Sequence, residues 1–196
     1  MLLSERARFP LAQRLRSGEG VALGEAFSFL SGLYFRGKLA YARVFARPPA
    51  AEPGVQVITP DRGLLAADTP VGAGDLRQFG TVDIRLDDPR YRKPLERDLA
   101  RLAMHPDLEV VLLGSIATAK YVDVLLDVVG ERLLFPTDFV GRGDMSRGAL
   151  LLRAAREQTE LAYEPAATAV RRGPRPRKAG PTDERDRGSP DPDTDS

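Results

Sequence analysis

The sequence predicts an α/β domain with three layers around a mainly parallel sheet, followed by a disordered C-terminal tail. Segments with strand character alternate with segments of helical periodicity, which is typical of parallel sheets covered by helices. Glu109–Leu113 is a continuous apolar run, as expected for a strand buried on both faces. From Pro165 onward, large apolar residues nearly disappear, so this segment buries too little surface to offset its ordering entropy.

The first half of the chain predicts one helix and two strands. Leu23–Phe45 has helical character, with Gly32 and Gly37 as expected breaks. Val55–Thr59 is a short β-rich run, and Thr81–Leu86 alternates between apolar and polar residues, so we predict a strand at each.

The second half alternates more regularly. Apolar residues at helical spacing predict helices over Pro94–Met104 and Ser146–Glu157. Ser115 is a suitable N-cap for a further helix that runs to about Val129. The remaining segments are the strands Glu109–Leu113 and Arg132–Phe135 and a loop rich in glycine and arginine, Asp138–Gly148.

The chain is predicted to hold one folded domain, residues 1–164, and a tail, residues 165–196. Its 196 residues, 42% of them hydrophobic, suffice for one core plus an appendage. In the tail, basic residues come first and a mostly acidic end follows. The basic part could contact nucleic acid or an acidic protein partner, or the whole tail could simply be solvated.

Composition excludes several kinds of site. The chain has 29 basic and 28 acidic residues. This near-zero net charge does not predict a protein that wraps nucleic acid around itself. It has no cysteine, and His105 is the only histidine, which excludes disulfides, cysteine nucleophiles and multi-histidine metal sites within one chain. No signal peptide or membrane span is recognisable, so we expect a cytoplasmic protein. No residue pattern in the sequence indicates a particular cofactor or a metal site.

The segment Gly114–Tyr121 is the first candidate site. It follows the most apolar strand and opens a helix, and parallel sheets bind ligands at the carboxyl ends of their strands. A helix N-terminus there suits a phosphate or a carboxylate. The candidate ligand-binding residues are Gly114, Ser115, Lys120 and Tyr121. The alternative is an ordinary strand-to-helix turn with an N-cap.

The segment Phe135–Arg147 is the second candidate site, and it is predicted to lie at the same edge of the sheet. Arginines on a flexible glycine backbone suit bidentate contact with phosphate or carboxylate. We select Arg142, Gly143, Ser146 and Arg147 as ligand-binding residues. Asp138 and Asp144 are the candidate catalytic residues, as a base, a sugar-hydroxyl acceptor or a metal ligand. Alternatively, Asp144 or Ser146 caps the next helix, and the arginines of the loop pair with nearby acidic residues.

Two further segments could contribute to the same cleft. Ser31–Tyr41 interleaves aromatic and basic residues, which could stack a base and hold a phosphate, or could form an amphipathic helix with its aromatic residues in the core. From it we select Tyr34, Arg36 and Lys38. Thr59–Leu65 follows a predicted strand and adds Arg62.

The order of these segments resembles a loosely defined group of uncharacterised bacterial and phage proteins that are distantly similar to the peroxide-stress YaaA proteins. The resemblance covers roughly residues 27–153. It is carried by LYFRGKLAYARVF, VITPDRGLL, VVLLGSIATAKY and FVGRGDMSRG. That group usually has a Ser-Ala-x-x-Gly-Leu turn where this chain reads TPDRGL. The resemblance implies an α/β domain linked to nucleotides or nucleic acid, without an assigned catalytic residue.

Together these segments predict a protein that binds a phosphorylated ligand, either a nucleotide or a nucleic-acid segment. If the protein is an enzyme, the available groups favour hydrolysis or glycosyl transfer assisted by an aspartate. The alternative is a non-catalytic adaptor or regulatory protein whose arginines bind an acidic segment of a partner protein.

Overall fold

The computed structural model of the chain describes residues 2–4, 6–116 and 119–169, without the side chains of residues 119 and 120. Helices and short strands alternate in this part of the chain, so the fold is mixed α and β. The predicted tail lies outside the described residues, except for residues 165–169. No helix in the described ranges is long and apolar enough to cross a membrane.

The helices of the described chain are α1 (Pro10–Arg16), α2 (Leu23–Phe45), α3 (Ala73–Phe79), α4 (Pro89–Ala103), α5 (Ala119–Val129) and α6 (Asp144–Glu157). The strands are β1 (Val21–Ala22), β2 (Gln56–Thr59), β3 (Gly63–Ala66), β4 (Pro70–Val71), β5 (Val110–Val111), β6 (Leu133–Pro136) and β7 (Tyr163–Pro165). Short 3₁₀ turns cover Gly130–Arg132 and Thr137–Phe139.

Helix α2 has the bounds that the sequence predicts, and one of its two predicted breaks is present. Gly32 has φ 64° and ψ −142°, a conformation open to glycine and strained for other residues, and the helix kinks there. The predicted break at Gly37 is wrong. Gly37 is buried within the helix, where the absence of a side chain lets another helix approach.

Helix α4 begins five residues before the predicted position. The Asp88 side chain accepts a hydrogen bond of 2.9 Å from the Arg90 N–H, and Pro89 follows at the first helical position. A proline is tolerated there because the N–H that it lacks has no partner within the helix. This N-terminal cap extends the helix to include Pro89 and the residues up to Pro94, which the apolar spacing alone does not predict as helical.

The strands form three small sheets instead of the single, mainly parallel sheet that the sequence predicts. Strands β1 and β4 pair antiparallel, and β2 and β3 form an antiparallel hairpin. The third sheet has the order β5-β6-β7, with β5 and β6 parallel and β7 antiparallel to β6. The predicted strand Thr81–Leu86 is not a strand, since its residues lie in irregular backbone and turns before α4.

The one parallel pair among the described strands is the β5–α5–β6 unit. Because β5 and β6 are parallel, the segments that begin at Leu112 and Thr137 leave from the same edge of the sheet. Strand β5 is shorter than predicted, and Val111 is 37% exposed, so the expectation of a strand buried on both faces is wrong. Among the described residues, β5 is an edge strand of this sheet.

The buried side chains form two clusters, and α2 contributes to both. The larger cluster joins one face of α2 to α4, α5, α6 and the β5-β6-β7 sheet. The smaller cluster joins the N-terminal end and the other face of α2 to α1, α3 and the β2–β3 hairpin. Tyr34 and Tyr41 pack on the larger cluster, whereas Phe35 and Leu39 pack on the smaller one.

The folded part extends beyond the predicted boundary at residue 164. Strand β7 ends at Pro165, and the Ala166 N–H donates a hydrogen bond of 2.7 Å to the Leu133 carbonyl oxygen. Ala166 and Ala169 are both buried in the larger cluster. The sequence does not predict this extension past residue 164, because two alanines add little to the apolar content of a segment rich in polar residues and proline.

Candidate functional site

Helices α2 and α6 contact each other backbone to backbone through two glycines. A Cβ atom built on Gly37 would lie 2.6 Å from the carbonyl oxygen of Gly148. A Cβ atom built on Gly148 would lie 2.9 Å from Cα of Tyr34. Neither position therefore has room for a side chain. This contact holds the first turns of α6 against the stretch of α2 that contains Tyr34 and Lys38.

Tyr34 ties this part of α2 to the segment that follows β5. Its hydroxyl donates a hydrogen bond of 3.0 Å to the carbonyl oxygen of Leu113, the residue before Gly114. Its ring packs edge-on against Phe139, with 6.3 Å between ring centroids. Burial raises the pKa of Tyr34 to about 12, and the neighbouring Arg147 guanidinium opposes that rise. At neutral pH the phenol is therefore a neutral donor with a structural partner.

Lys38 lies one helical turn beyond Tyr34, on the same face. Its Nζ atom is 4.0 Å from the centroid of the Tyr34 ring, which is a cation–π contact. Burial lowers the pKa of Lys38 to about 8, Arg147 lowers it further, and the charge of Asp144 opposes both effects. Among the described residues, none accepts a hydrogen bond from Nζ or forms an ion pair with it.

Arg147 brings a second positive charge to the same place. Its Nε and Nη2 atoms donate hydrogen bonds of 3.2 and 3.0 Å to the carbonyl oxygen of Phe139. Its guanidinium also lies over the Phe139 ring, 5.4 Å from the centroid. The side chain is only 12% exposed, and its Nη1 atom is 4.0 Å from Oδ1 of Asp144. We call Tyr34, Lys38, Phe139, Asp144 and Arg147 the Lys38 cluster.

The two candidate catalytic aspartates are both exposed. Asp144 opens α6, where a carboxylate is stabilised by the helix dipole, and its side chain is 74% exposed. Asp138 lies in the 3₁₀ turn, and its backbone carbonyl accepts a hydrogen bond of 2.7 Å from Nε of Arg142. A general acid or base must lie within hydrogen-bond reach of the proton that it moves. The catalytic role of both aspartates stays a prediction.

The remaining residues of the Gly/Arg loop form a rim beside α6. Arg142 bridges the loop and the helix, since its Nη1 atom donates a hydrogen bond of 3.3 Å to Oγ of Ser146. Gly143 is the N-cap residue of α6, and no neighbouring atom lies within 4 Å of the place where its Cβ would be. The predicted capping by the Asp144 or Ser146 side chain is therefore wrong, because the cap position belongs to Gly143.

The Gly114–Tyr121 segment begins directly after Leu113, whose carbonyl oxygen accepts the hydrogen bond from Tyr34. Both Gly114 and Ser115 are half-buried. Residues 117 and 118 and the side chain of Lys120 lie outside the described part, so the N-cap at Ser115 and the role of Lys120 stay predictions. Tyr121 packs against the larger core cluster, which leaves little of its ring available to a base.

Arg62 and Arg36 do not join the Lys38 cluster. Arg62 lies in the turn of the β2–β3 hairpin, donates a hydrogen bond of 2.7 Å to Oδ1 of Asp75 and packs over the Phe79 ring. The sequence places it in the cleft because Thr59–Leu65 is predicted to follow a parallel strand. Arg36 is exposed on another face of α2 and lines a groove with Ser28 and Arg43.

Phe139 and the pairing of Gly37 with Gly148 are not predicted from the sequence. A glycine inside each of two helices is the signal for such a close approach, although the partner helix cannot be identified from one sequence. No group of three or more aspartate, glutamate or histidine residues with metal-binding geometry occurs in the described ranges.

Comparison with protein-family models, with curated proteins and with solved structures finds no match for this chain. The resemblance to the group of proteins related to YaaA therefore stays a prediction.

Proposed function

We propose that this chain binds a phosphorylated ligand at the Lys38 cluster. The observation that carries the proposal is the charge balance of a half-buried space. Lys38 and Arg147 are both cationic and largely shielded from water, whereas the one acid of the cluster, Asp144, is mostly exposed. Two cations that share a poorly hydrated space repel each other, so an anion placed between them is favoured.

Phosphate is the part of the predicted ligand that the geometry supports best. The Lys38 ammonium lies over one face of the Tyr34 ring, and the ring also packs against Phe139. The ring is therefore not available to stack on a nucleotide base. Arg142 and Ser146, at the rim, lie where a larger ligand could extend. We therefore propose a small phosphorylated molecule, and we retain nucleotides and nucleic acids as ligands to be tested. The proposal covers binding and assigns no catalytic step to Asp138 or Asp144.

A thermal-shift screen of the full chain tests the proposal. The panel contains inorganic pyrophosphate, mononucleotides, sugar phosphates and short DNA and RNA, each with and without Mg²⁺. A ligand at about 100 times its dissociation constant raises the free energy of unfolding by about 2.7 kcal/mol. For a domain of this size, that corresponds to an increase in Tm of about 5–10 °C.

Two variants and a matched control locate the binding site. We expect Lys38→Met and Arg147→Met to abolish the ligand-induced shift, because each removes a charge from the cluster. The control Arg36→Met removes an exposed charge from the same helix, two residues from Lys38, and leaves the shift unchanged. A shift that survives both cluster variants but disappears in Arg36→Met would place the ligand in the groove beside Arg43 and overturn the proposal.

An adaptor that binds a protein partner is the second candidate function, and exposed apolar residues favour it. Leu30 of α2 is 55% exposed and Met145 of α6 is 70% exposed. Met145 lies one turn before Gly148 in α6, whereas Leu30 lies in α2 on the N-terminal side of the kink at Gly32. If no compound in the panel raises Tm, these exposed apolar residues become the leading candidates for a contact with a partner. The predicted partner contacts of the tail lie outside the described residues.

A further inference from the structure

The kink at Gly32 folds two arms of α2 against each other, and we call residues 23–31 the first arm and residues 33–45 the second arm. Gly24 and Leu39 lie about four turns apart along the chain, which is roughly 22 Å in a straight helix. A Cβ atom built on Gly24 would nevertheless lie 3.0 Å from Cδ2 of Leu39. The rings of Phe27 and Phe35 are also in contact, with 5.5 Å between their centroids. The two arms therefore pack side by side.

An open groove of about 450 Å³ lies between the two arms. Its lining residues recur every three or four positions, as expected for one face of each arm. They are Ala22, Glu25 and Ser28 along the first arm and Arg36, Leu39, Ala40 and Arg43 along the second. Small-molecule sites have volumes of about 300–1,000 Å³, so the groove has room for a small ligand.

Arg36 supplies the uncompensated positive charge of this groove. Its guanidinium has no hydrogen bond or ion pair among the described residues. The other two charged residues of the lining are paired. Glu25 accepts hydrogen bonds of 3.1 and 2.5 Å from Arg14, and Nη2 of Arg43 is 2.5 Å from Oδ1 of Asp68. One negative charge on a ligand would therefore balance the groove.

We propose that the groove binds a small monocarboxylic acid, with the carboxylate on Arg36 and the hydrocarbon part on Leu39 and Ala40. A guanidinium binds a planar carboxylate through two parallel hydrogen bonds. The Glu25 carboxylate forms part of the lining and would repel the second negative charge of a phosphate, so the groove favours a monoanion. This site is separate from the Lys38 cluster and does not rest on the proposed function.

Ser28 is the second polar contact that we assign to the carboxylate. The residue lines the groove, and its Oγ atom is buried without a hydrogen-bond partner among the described residues. A buried hydroxyl in this state lowers the free energy of unfolding. Rotation about χ1 lets the hydroxyl donate to a carboxylate oxygen in the groove, which removes that cost.

Amide chemical shifts of the ¹⁵N-labelled full chain, titrated with sodium hexanoate, test the inference. We expect saturable shifts at Ser28, Arg36 and Arg43 and none at residues 143–148. Hexan-1-ol has a similar chain without the charge and should cause no saturable shift. Acetate should bind at least about tenfold more weakly, because it lacks four methylene groups. Groove amides that do not respond to hexanoate, or that respond equally to hexan-1-ol, would overturn the inference.

Two variants and a matched control locate the carboxylate. Arg36→Met should abolish hexanoate binding, and Ser28→Ala should weaken it by about tenfold. The control Arg153→Met removes an exposed charge from α6 and should retain full binding. Hexanoate binding that survives Arg36→Met would overturn the inference, and an unchanged dissociation constant in Ser28→Ala would contradict the contact with Ser28.

Lys38→Met separates this inference from the proposed function. It should lose the shift in Tm caused by pyrophosphate and keep hexanoate binding. A chain that binds pyrophosphate at the Lys38 cluster and does not bind hexanoate would overturn this inference alone. A chain that binds hexanoate in the groove and does not bind pyrophosphate would support this inference and contradict the proposed function. Groove amides that bind pyrophosphate as tightly as hexanoate would overturn the choice of a monocarboxylate.

Discussion

A lysine that is partly removed from water opposes folding whenever it carries its proton. Lys38 is in this situation, because the Tyr34 ring replaces only part of the hydration of its ammonium. Proteins retain such groups where a ligand compensates for the cost, and perturbed lysines are therefore candidates for functional sites. The sequence singles out Lys38 as a candidate, but it does not indicate that the ammonium is partly desolvated.

The pH dependence of the free energy of unfolding tests whether the pKa of Lys38 is lowered in the folded chain. Its pKa is about 8 in the folded chain and about 10.4 in an unfolded one, so between these values the unfolded chain binds more protons. Its contribution to the free energy of unfolding therefore rises with pH across that range and is most unfavourable below pH 8. We expect Lys38→Met to be more stable than the parent chain by about 1–2 kcal/mol at pH 7.

Denaturant titrations of both chains at pH 7, 8.5 and 10 provide the measurement. The difference in free energy of unfolding shrinks as pH rises, while the titration of other groups cancels between the two chains. A difference that stays constant from pH 7 to pH 10 would show that the Lys38 amine has an ordinary pKa.

The sequence predicts the helices better than the sheets, for a physical reason. Helical hydrogen bonds are local, so the helical character of the α2 and α6 sequences predicts their positions to within a few residues. Strand pairing depends on distant segments. The run Glu109–Leu113 contains only the two-residue strand β5, and Tyr163–Pro165 pairs with β6 without any strand signal of its own.

The candidate site is also only partly predictable from the sequence. Two of the four predicted segments meet, at Tyr34 and Lys38 and at Arg147, and Tyr34 also binds Leu113, the residue just before a third. The fourth does not, because Arg62 lies in a hairpin turn whose partner strand, β3, the sequence analysis did not predict. Which charges become buried depends on the helix contact at Gly148, and this contact is invisible in a single sequence.

The close approach of α2 and α6 makes Gly148 sensitive to substitution. A methyl group there meets the backbone of Leu33 and Tyr34 at 2.9–3.0 Å, so the helices must separate. We expect Gly148→Ala to lower the free energy of unfolding by about 1–3 kcal/mol, as overpacking does. It should also weaken ligand binding, because Lys38 and Arg147 move apart. Chemical denaturation and the thermal-shift assay measure the two effects.

Gly74→Ala is the matched control for this prediction. Gly74 lies within α3, and no neighbouring atom is within 4 Å of its Cβ position. Alanine favours helix by about 0.5–1 kcal/mol over glycine, so this variant should be as stable as the parent chain or more stable. If Gly148→Ala behaved like Gly74→Ala, the close helix contact would be absent.

At the scale of the whole molecule, α2 is the element that connects the two buried clusters. Its Phe35 and Leu39 pack on the smaller cluster, while Tyr34 and Tyr41 pack on the larger one. The Lys38 cluster lies where α2 meets α6 and the loops that leave the β5–β6 edge. A ligand there would contact several separate parts of the chain at once, so its binding should be detectable at residues far apart in the sequence.

Amide chemical shifts of the ¹⁵N-labelled full chain, titrated with inorganic pyrophosphate, test the central claim most directly. The account predicts saturable shifts, described by one dissociation constant, at Tyr34, Lys38 and Gly114 and at residues 143–148. Amides in the groove beside Arg36, such as those of Ser28 and Arg43, should stay in place. Saturable shifts confined to that groove, or no saturable shift at all, would contradict the proposal that the Lys38 cluster binds phosphate.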